Sequence, residues 1–159
     1  MTHEERGTPA EDPVARYCAA AATGDIDALM ETLAPDVELA SPIFGRMTFR
    51  GHDDVRALLT AVYSSLSDLR WSRRVEDGDV CVVLGSARVG GVALTDAMVF
   101  ELAPDGAIRR VSPHLRPWLA LTLFALVLGP KVARRPGIIG RALSRGGAGR
   151  TAQSLGEGA

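Results

Sequence analysis

Residues 80–115 read VCVVLGSARVGGVALTDAMVFELAPDGAIRRVSPHL, and glycine, proline and aspartate cut this run into three extended pieces. Val80–Val89 and Val92–Leu102 alternate as half-buried strands do, and they meet at Gly90-Gly91. That dipeptide predicts a two-residue hairpin, because glycine tolerates the positive φ such turns require. Pro104-Asp105-Gly106 turns the second strand into a third, Ile108–Leu115. Upstream, Leu69–Glu76 reads as a strand that Asp77-Gly78 turns into Val80. The C-terminal half of the domain is therefore expected to be an antiparallel meander.

Before the meander the spacing is helical. Val14, Tyr17, Cys18 and Ala21 fall at i, i+3, i+4 and i+7, on one face of a helix that Thr23 and Gly24 would end. Asp25 can cap a second helix, in which Ile26, Leu29, Met30 and Leu33 repeat the spacing until Pro35. Val37 and Leu39 then alternate with Glu38 and Ala40 in a strand whose inward set reaches Ser41 before Pro42 stops it. Gly51-His52 leads into a third helix with Val55, Leu58, Leu59 and Val62 inward, and Asp53 and Asp54 suit its positive N-terminal end. The expected fold class is α+β, with the N-terminal helices packed on an antiparallel sheet.

The chain has 159 residues, 47% of them hydrophobic and 23% charged, which fits one packed domain without disulfides or metals. A net charge of -1 excludes a protein that binds polyanions with its whole surface, so no nucleic acid is expected as a partner. Cys18 and Cys81 stand far apart with no metal-ligand spacing, and both read as small core residues. His3 lies in the polar tail, and His52 reads as a helix N-cap, so no metal is expected. Gly90-Gly91 is no phosphate loop, since no helix follows it, and no cofactor is implied. No basic stretch followed by an apolar run opens the chain, which points to the cytoplasm.

The period of two along Val92–Leu102 places Asp96 on the same face as Leu94, Met98 and Phe100. A carboxyl among apolar side chains either finds a cation, stays protonated and donates a hydrogen bond, or bonds to backbone amides near a sheet end. Tyr17, on the inward face of the first helix, brings a second hydroxyl donor.

RYCAAAATGDIDALMETLAPDVELASP, FRGHDDVRALL and TDAMVFELAPDGAIRRV occur in this order, across about residues 13–116. They resemble the helical hairpin with first strand, the third helix, and the last two strands of the nuclear transport factor 2-like superfamily, in particular its ketosteroid isomerases and SnoaL-like proteins. The resemblance implies a cone-shaped roll around an apolar pocket, and pairing into a homodimer through the sheet. It also implies that Tyr17 and Asp96 form an oxyanion hole for a small, largely apolar carbonyl or polycyclic ligand, as in an isomerase or polyketide cyclase. The isomerases' general base is an Asp directly before a Pro at the end of the first strand, and here the dipeptide is Ser41-Pro42. A serine hydroxyl is a far weaker base than a carboxylate. His114 on the last strand is the candidate replacement base, at the rim or in solvent, and a cyclase-like reaction would use Asp96 as its acid. Epoxide hydrolases of the superfamily carry an Arg two residues before the Asp, where this chain has Leu94. The alternative is a non-catalytic ligand-binding or dimerisation module that has lost the base.

Beyond the family pattern, Pro117-Trp118 ends the sheet, and Leu119–Leu128 reads as an apolar helix terminated by Gly129-Pro130. Lys131, Arg134, Arg135, Arg141, Arg145 and Arg150 follow, against Glu157 alone. Residues 117–143 are thus an apolar, then basic, helical extension of the domain at 13–116, and flexible segments are expected at 1–12 and 144–159. The apolar run is too short to span a bilayer, which takes about 20 residues. An all-apolar helix must be covered, by acting as a lid on the cone, by a dimer contact, or by lying on an anionic membrane surface. Lid or dimer contact is the preferred reading, because neither needs a new partner.

Overall fold

A computed structural model describes residues 12–43 and 47–145; the expected tails at 1–11 and 146–159 lie outside the described residues. Asp12, expected in the tail, instead caps the first helix. Its Oδ1 accepts from the amides of Val14 and Ala15, and Arg74 pairs with its other oxygen. Helix α1 (Pro13–Thr23) ends where Gly24 takes the left-handed conformation, φ 73°, as its sequence predicts. Asp25 then caps α2 (Ile26–Met30) through the Ala28 amide.

Here the structure corrects the reading, because α2 stops at Met30 and Leu33 already belongs to strand β1 (Leu33–Ala40). The Thr32 carbonyl accepts from the amide of Ile108, and Leu33 pairs with Ile108 in parallel. Pairing across the sheet overrides a helical spacing that is only local, and the register shift between Leu33 and Glu38 accommodates Pro35, which has no amide to donate.

β2 (Thr48–Arg50) pairs with β1 and was not foreseen as a strand. α3 (His52–Tyr63) follows, capped by Gly51 rather than His52. The His52 Nε2–H donates to the carbonyls of Leu33 and Ala34, each at 3.1 Å.

β3 (Ser67–Asp77), β4 (Val80–Val89) and β5 (Val92–Leu102) form the expected meander, with Gly90 and Gly91 at φ 53° and 83°. The expected last strand is broken at Pro113-His114 into β6 (Ile108–Ser112) and β7 (Leu115–Arg116). The strand order β2-β1-β6-β5-β4-β3 joins β1 to β6 in parallel, so the sheet is antiparallel except at that one seam. It is curved and unclosed, and shifts of register within β3–β4 help bend it. Tyr17, Leu29, Val55 and Leu59 from the helices pack on its concave face against Phe49, Leu94, Phe100 and Val111.

Two further helices close the fold, α4 (Trp118–Ala133) and α5 (Pro136–Arg145), where a single extra helix had been expected. Gly129-Pro130 does not end α4. Both residues lie on its exposed side, where water can take the carbonyl that proline leaves unbonded. The turn beyond them is held by Lys131 Nζ, which donates to Ser64 Oγ at 3.1 Å and Ser65 Oγ at 2.8 Å. Ser144 and Arg145, expected in a flexible tail, belong to α5. No helix among the described residues is long and apolar enough to cross a membrane.

Candidate functional site

Between the concave sheet face, α3 and the C-terminal helices lies a cavity of about 480 Å³. The sheet contributes Leu39, Phe49, Leu94, Met98 and Val111, α3 gives Leu58, Leu59, Val62 and Tyr63, and α4 adds Phe124 and Leu128. Among the described residues its lining is almost wholly apolar, and the ionisable side chains on it are Tyr17, Tyr63 and Asp96.

Asp96 sits on β5 with Leu94 and Met98 beside it on the same face, as the alternation predicts. Opposite it on β4 is Gly85. A side chain there would collide with Trp71, since a Cβ would lie 2.8 Å from the indole ring. Glycine thus lets the Trp71 ring lie against the sheet, and the indole N–H donates to the Cys18 carbonyl at 2.9 Å, tying β3 to α1. The Asp96 Oδ1 accepts the backbone amide of His114 at 2.9 Å. Burial pushes the carboxyl up to about 6, opposed by that amide and by the nearby His114 side chain.

Tyr17 is fully buried on α1, its ring edge-on to Phe100 with centroids 5.0 Å apart. The Tyr63 hydroxyl donates to the Tyr17 oxygen at 3.0 Å. Desolvation holds both phenols well above their ordinary range, and the negative charge of Asp96 adds to the effect.

Of the four residues singled out in the sequence, three line the cavity: Tyr17, Asp96 and Ser41. Ser41 lies just after β1, and its Oγ accepts the Ile43 amide at 3.3 Å. His114 is not on the lining. Its side chain is exposed, with Nδ1–H directed at the carbonyls of Ala97 and Ser112, and only its backbone amide reaches the site. Proline at 113 breaks the strand alternation, so the side-chain face could not be read from the period.

Tyr63 was missed, although it stands four residues beyond Leu59 and eight beyond Val55, on the face that α3 turns inward. Asp54 was read as a helix-end charge; it is buried, 6% exposed, and Arg141 of α5 grips it with two bonds of 2.9 and 2.5 Å. Among the described residues no group of three or more His, Cys, Asp or Glu stands close enough to hold a metal ion.

A curved sheet with helices on its concave side, around an apolar cavity with a carboxyl and two phenols, defines a nuclear transport factor 2-like cone protein. Residues 14–111 match the SnoaL-like domain, and the chain belongs to that family. Among solved structures it is similar to a Silicibacter pomeroyi protein with a cystatin-like fold, at TM-score 0.76 and 22% identity over 83% of this chain and 94% of that one. It is also similar to a steroid delta-isomerase from Pseudomonas aeruginosa, at TM-score 0.72 and 25% identity over 82% and 96%. A candidate polyketide cyclase from Sinorhizobium meliloti matches at TM-score 0.57 and 25% identity over 65% and 94%. No curated protein matches the sequence significantly.

Proposed function

We propose that the cavity binds a small, largely apolar molecule carrying a carbonyl or phenolic oxygen, and that Asp96 exchanges a proton with it while Tyr17 stabilises the oxygen. The observation that carries this reading is the placement of one carboxyl, titrating at about 6, and a pair of coupled phenols in an otherwise apolar cavity of about 480 Å³. A carboxyl in that range is mostly ionised at neutral pH, yet its proton is cheap to regain, which suits general acid–base work near pH 7. Because Tyr63 donates to the Tyr17 oxygen, the Tyr17 proton is directed elsewhere, and a hydrogen bond already received makes that phenol a stronger donor to a developing oxyanion. The likeness to a steroid isomerase and a candidate cyclase supports isomerase- or cyclase-like chemistry.

A second reading is a binding pocket without turnover. It is favoured by Ser41, which stands where the isomerases carry their base, and by His114, whose ring is outside the cavity. In that reading Asp96 and Tyr17 only hold the ligand.

The test is a titration with a panel of phenols, steroids and polycyclic ketones, each binder then assayed for conversion. Tyr17→Phe and Asp96→Ala should each weaken binding of a polycyclic phenol by about tenfold or more, the loss expected for a hydrogen bond to a charged group. Conversion that disappears in Asp96→Ala supports catalysis. Binding with no conversion supports the second reading, and binding unchanged in both variants removes the proposed site.

A further inference from the structure

Helix α4 has two unlike faces. The inner one is occupied: Ala120, Phe124 and Leu128 are buried, and Phe124, Leu128 and Val132 wall the cavity. The outer one carries Trp118, Leu119, Thr122, Leu126, Pro130 and Ala133, all exposed and none charged. At about 100° per residue these fall within a stripe of about 120°. Trp118, Leu119 and Leu126 are 76%, 55% and 69% exposed, and even Thr122 turns its hydroxyl back onto the Trp118 carbonyl at 2.9 Å. An ordinary surface helix puts its charges on such a face.

Charge is segregated along the sequence. From Ala107 to Gly156 the sequence holds nine Arg or Lys and no Asp or Glu, whereas residues 1–106 hold eighteen Asp or Glu against nine Arg. Exposed arginines bracket the helix, Arg116 before it and Arg134 and Arg135 after it. A second copy laid along the stripe in antiparallel fashion would set Arg116 of one helix against Arg134 and Arg135 of the other, with no acidic residue in the segment to offset them. An anionic lipid surface meets both requirements at once, an apolar phase for the stripe and phosphates for its ends. Tryptophan suits the headgroup boundary, its ring being mostly apolar and its N–H polar.

We propose that the outer face of α4 seats in the headgroup region of an anionic bilayer, lying in its plane, with Trp118, Leu119 and Leu126 entering the acyl boundary and Arg116, Arg134 and Arg135 on the phosphates. This does not depend on the chemistry of the cavity.

The test is co-sedimentation of the full chain with vesicles of phosphatidylcholine alone and of phosphatidylcholine mixed with phosphatidylglycerol. Partitioning should be at least about tenfold stronger on the anionic vesicles, since each basic residue near such a surface adds several-fold. Leu119→Ser with Leu126→Ser should remove binding, and Arg134→Gln with Arg135→Gln should remove the preference for phosphatidylglycerol. All four positions are exposed, and circular dichroism of each variant would verify that it is folded. Absence of binding to anionic vesicles overturns the proposal, as does equal binding to both kinds or binding that neither pair of substitutions changes. Light scattering that shows a dimer, turned monomeric by the two serine substitutions, would overturn it by showing that a second copy covers the stripe.

Discussion

Asp96 couples the site to the stability of the protein. Burial favours its neutral form, so the folded carboxyl titrates at about 6 against an ordinary 3.8. Between these values the folded protein keeps a proton that the unfolded chain has released, so stability falls as pH rises from about 4 to about 6 and stays lower above that range. The cost is on the order of 3 kcal/mol. Asp96→Asn keeps an oxygen for the His114 amide and removes the charge. Urea unfolding should therefore find the variant more stable than the parent by roughly that amount at pH 8, with the difference fading by pH 4. An equal difference at both pH values would mean that the charge of Asp96 is not what the fold resists.

At the scale of elements, α5 is tied to the body by the Arg141–Asp54 pair and by an apolar contact in which Ile138 and Ala142 are buried and Ile139 and Leu143 stand on the cavity wall. Asp54 is nearly inaccessible while Arg141 is half exposed, so the pair gains more from its bidentate geometry than from a low dielectric. Asp54→Ala should let α5 open locally while the sheet stays closed. Hydrogen exchange would then speed up at residues 136–145 and stay unchanged in β4 and β5. Uniform acceleration would instead mean that Asp54 supports the whole fold. Helix α4 shows why local rules failed here: Gly129-Pro130 is a stop signal taken alone, but Lys131 on the serines that end α3 and Val132 on the cavity wall hold the next turn in place.

For the whole molecule, the cavity is a reserve of stability that a ligand can fill. A binder at a hundred times its Kd should raise the unfolding free energy by about 2.7 kcal/mol. Ala87 lies on the lining at 5% exposure, and Ala87→Phe would occupy that space. The variant should fold and lose the ligand-induced rise in Tm; a rise that persists would place the ligand elsewhere. The cavity exists because the sheet bends away from the helices, and register shifts within the β3–β4 and β1–β6 pairs help it bend.

The sequence by itself determined the helical faces of α1 and α3, the hairpin at Gly90-Gly91, the extents of β4 and β5, and the position of Asp96 among apolar neighbours. All of these depend on a local period or on backbone freedom at glycine, and both are written in consecutive residues. Only the tertiary structure decided that Leu33 joins a strand, that the His114 side chain leaves the site while its amide enters, that Tyr63 reaches Tyr17, and that Asp54 receives Arg141. Those outcomes depend on partners 46 to 87 residues apart in the chain, or on pairing across the sheet. No period within one element reports what a distant element will bring to it.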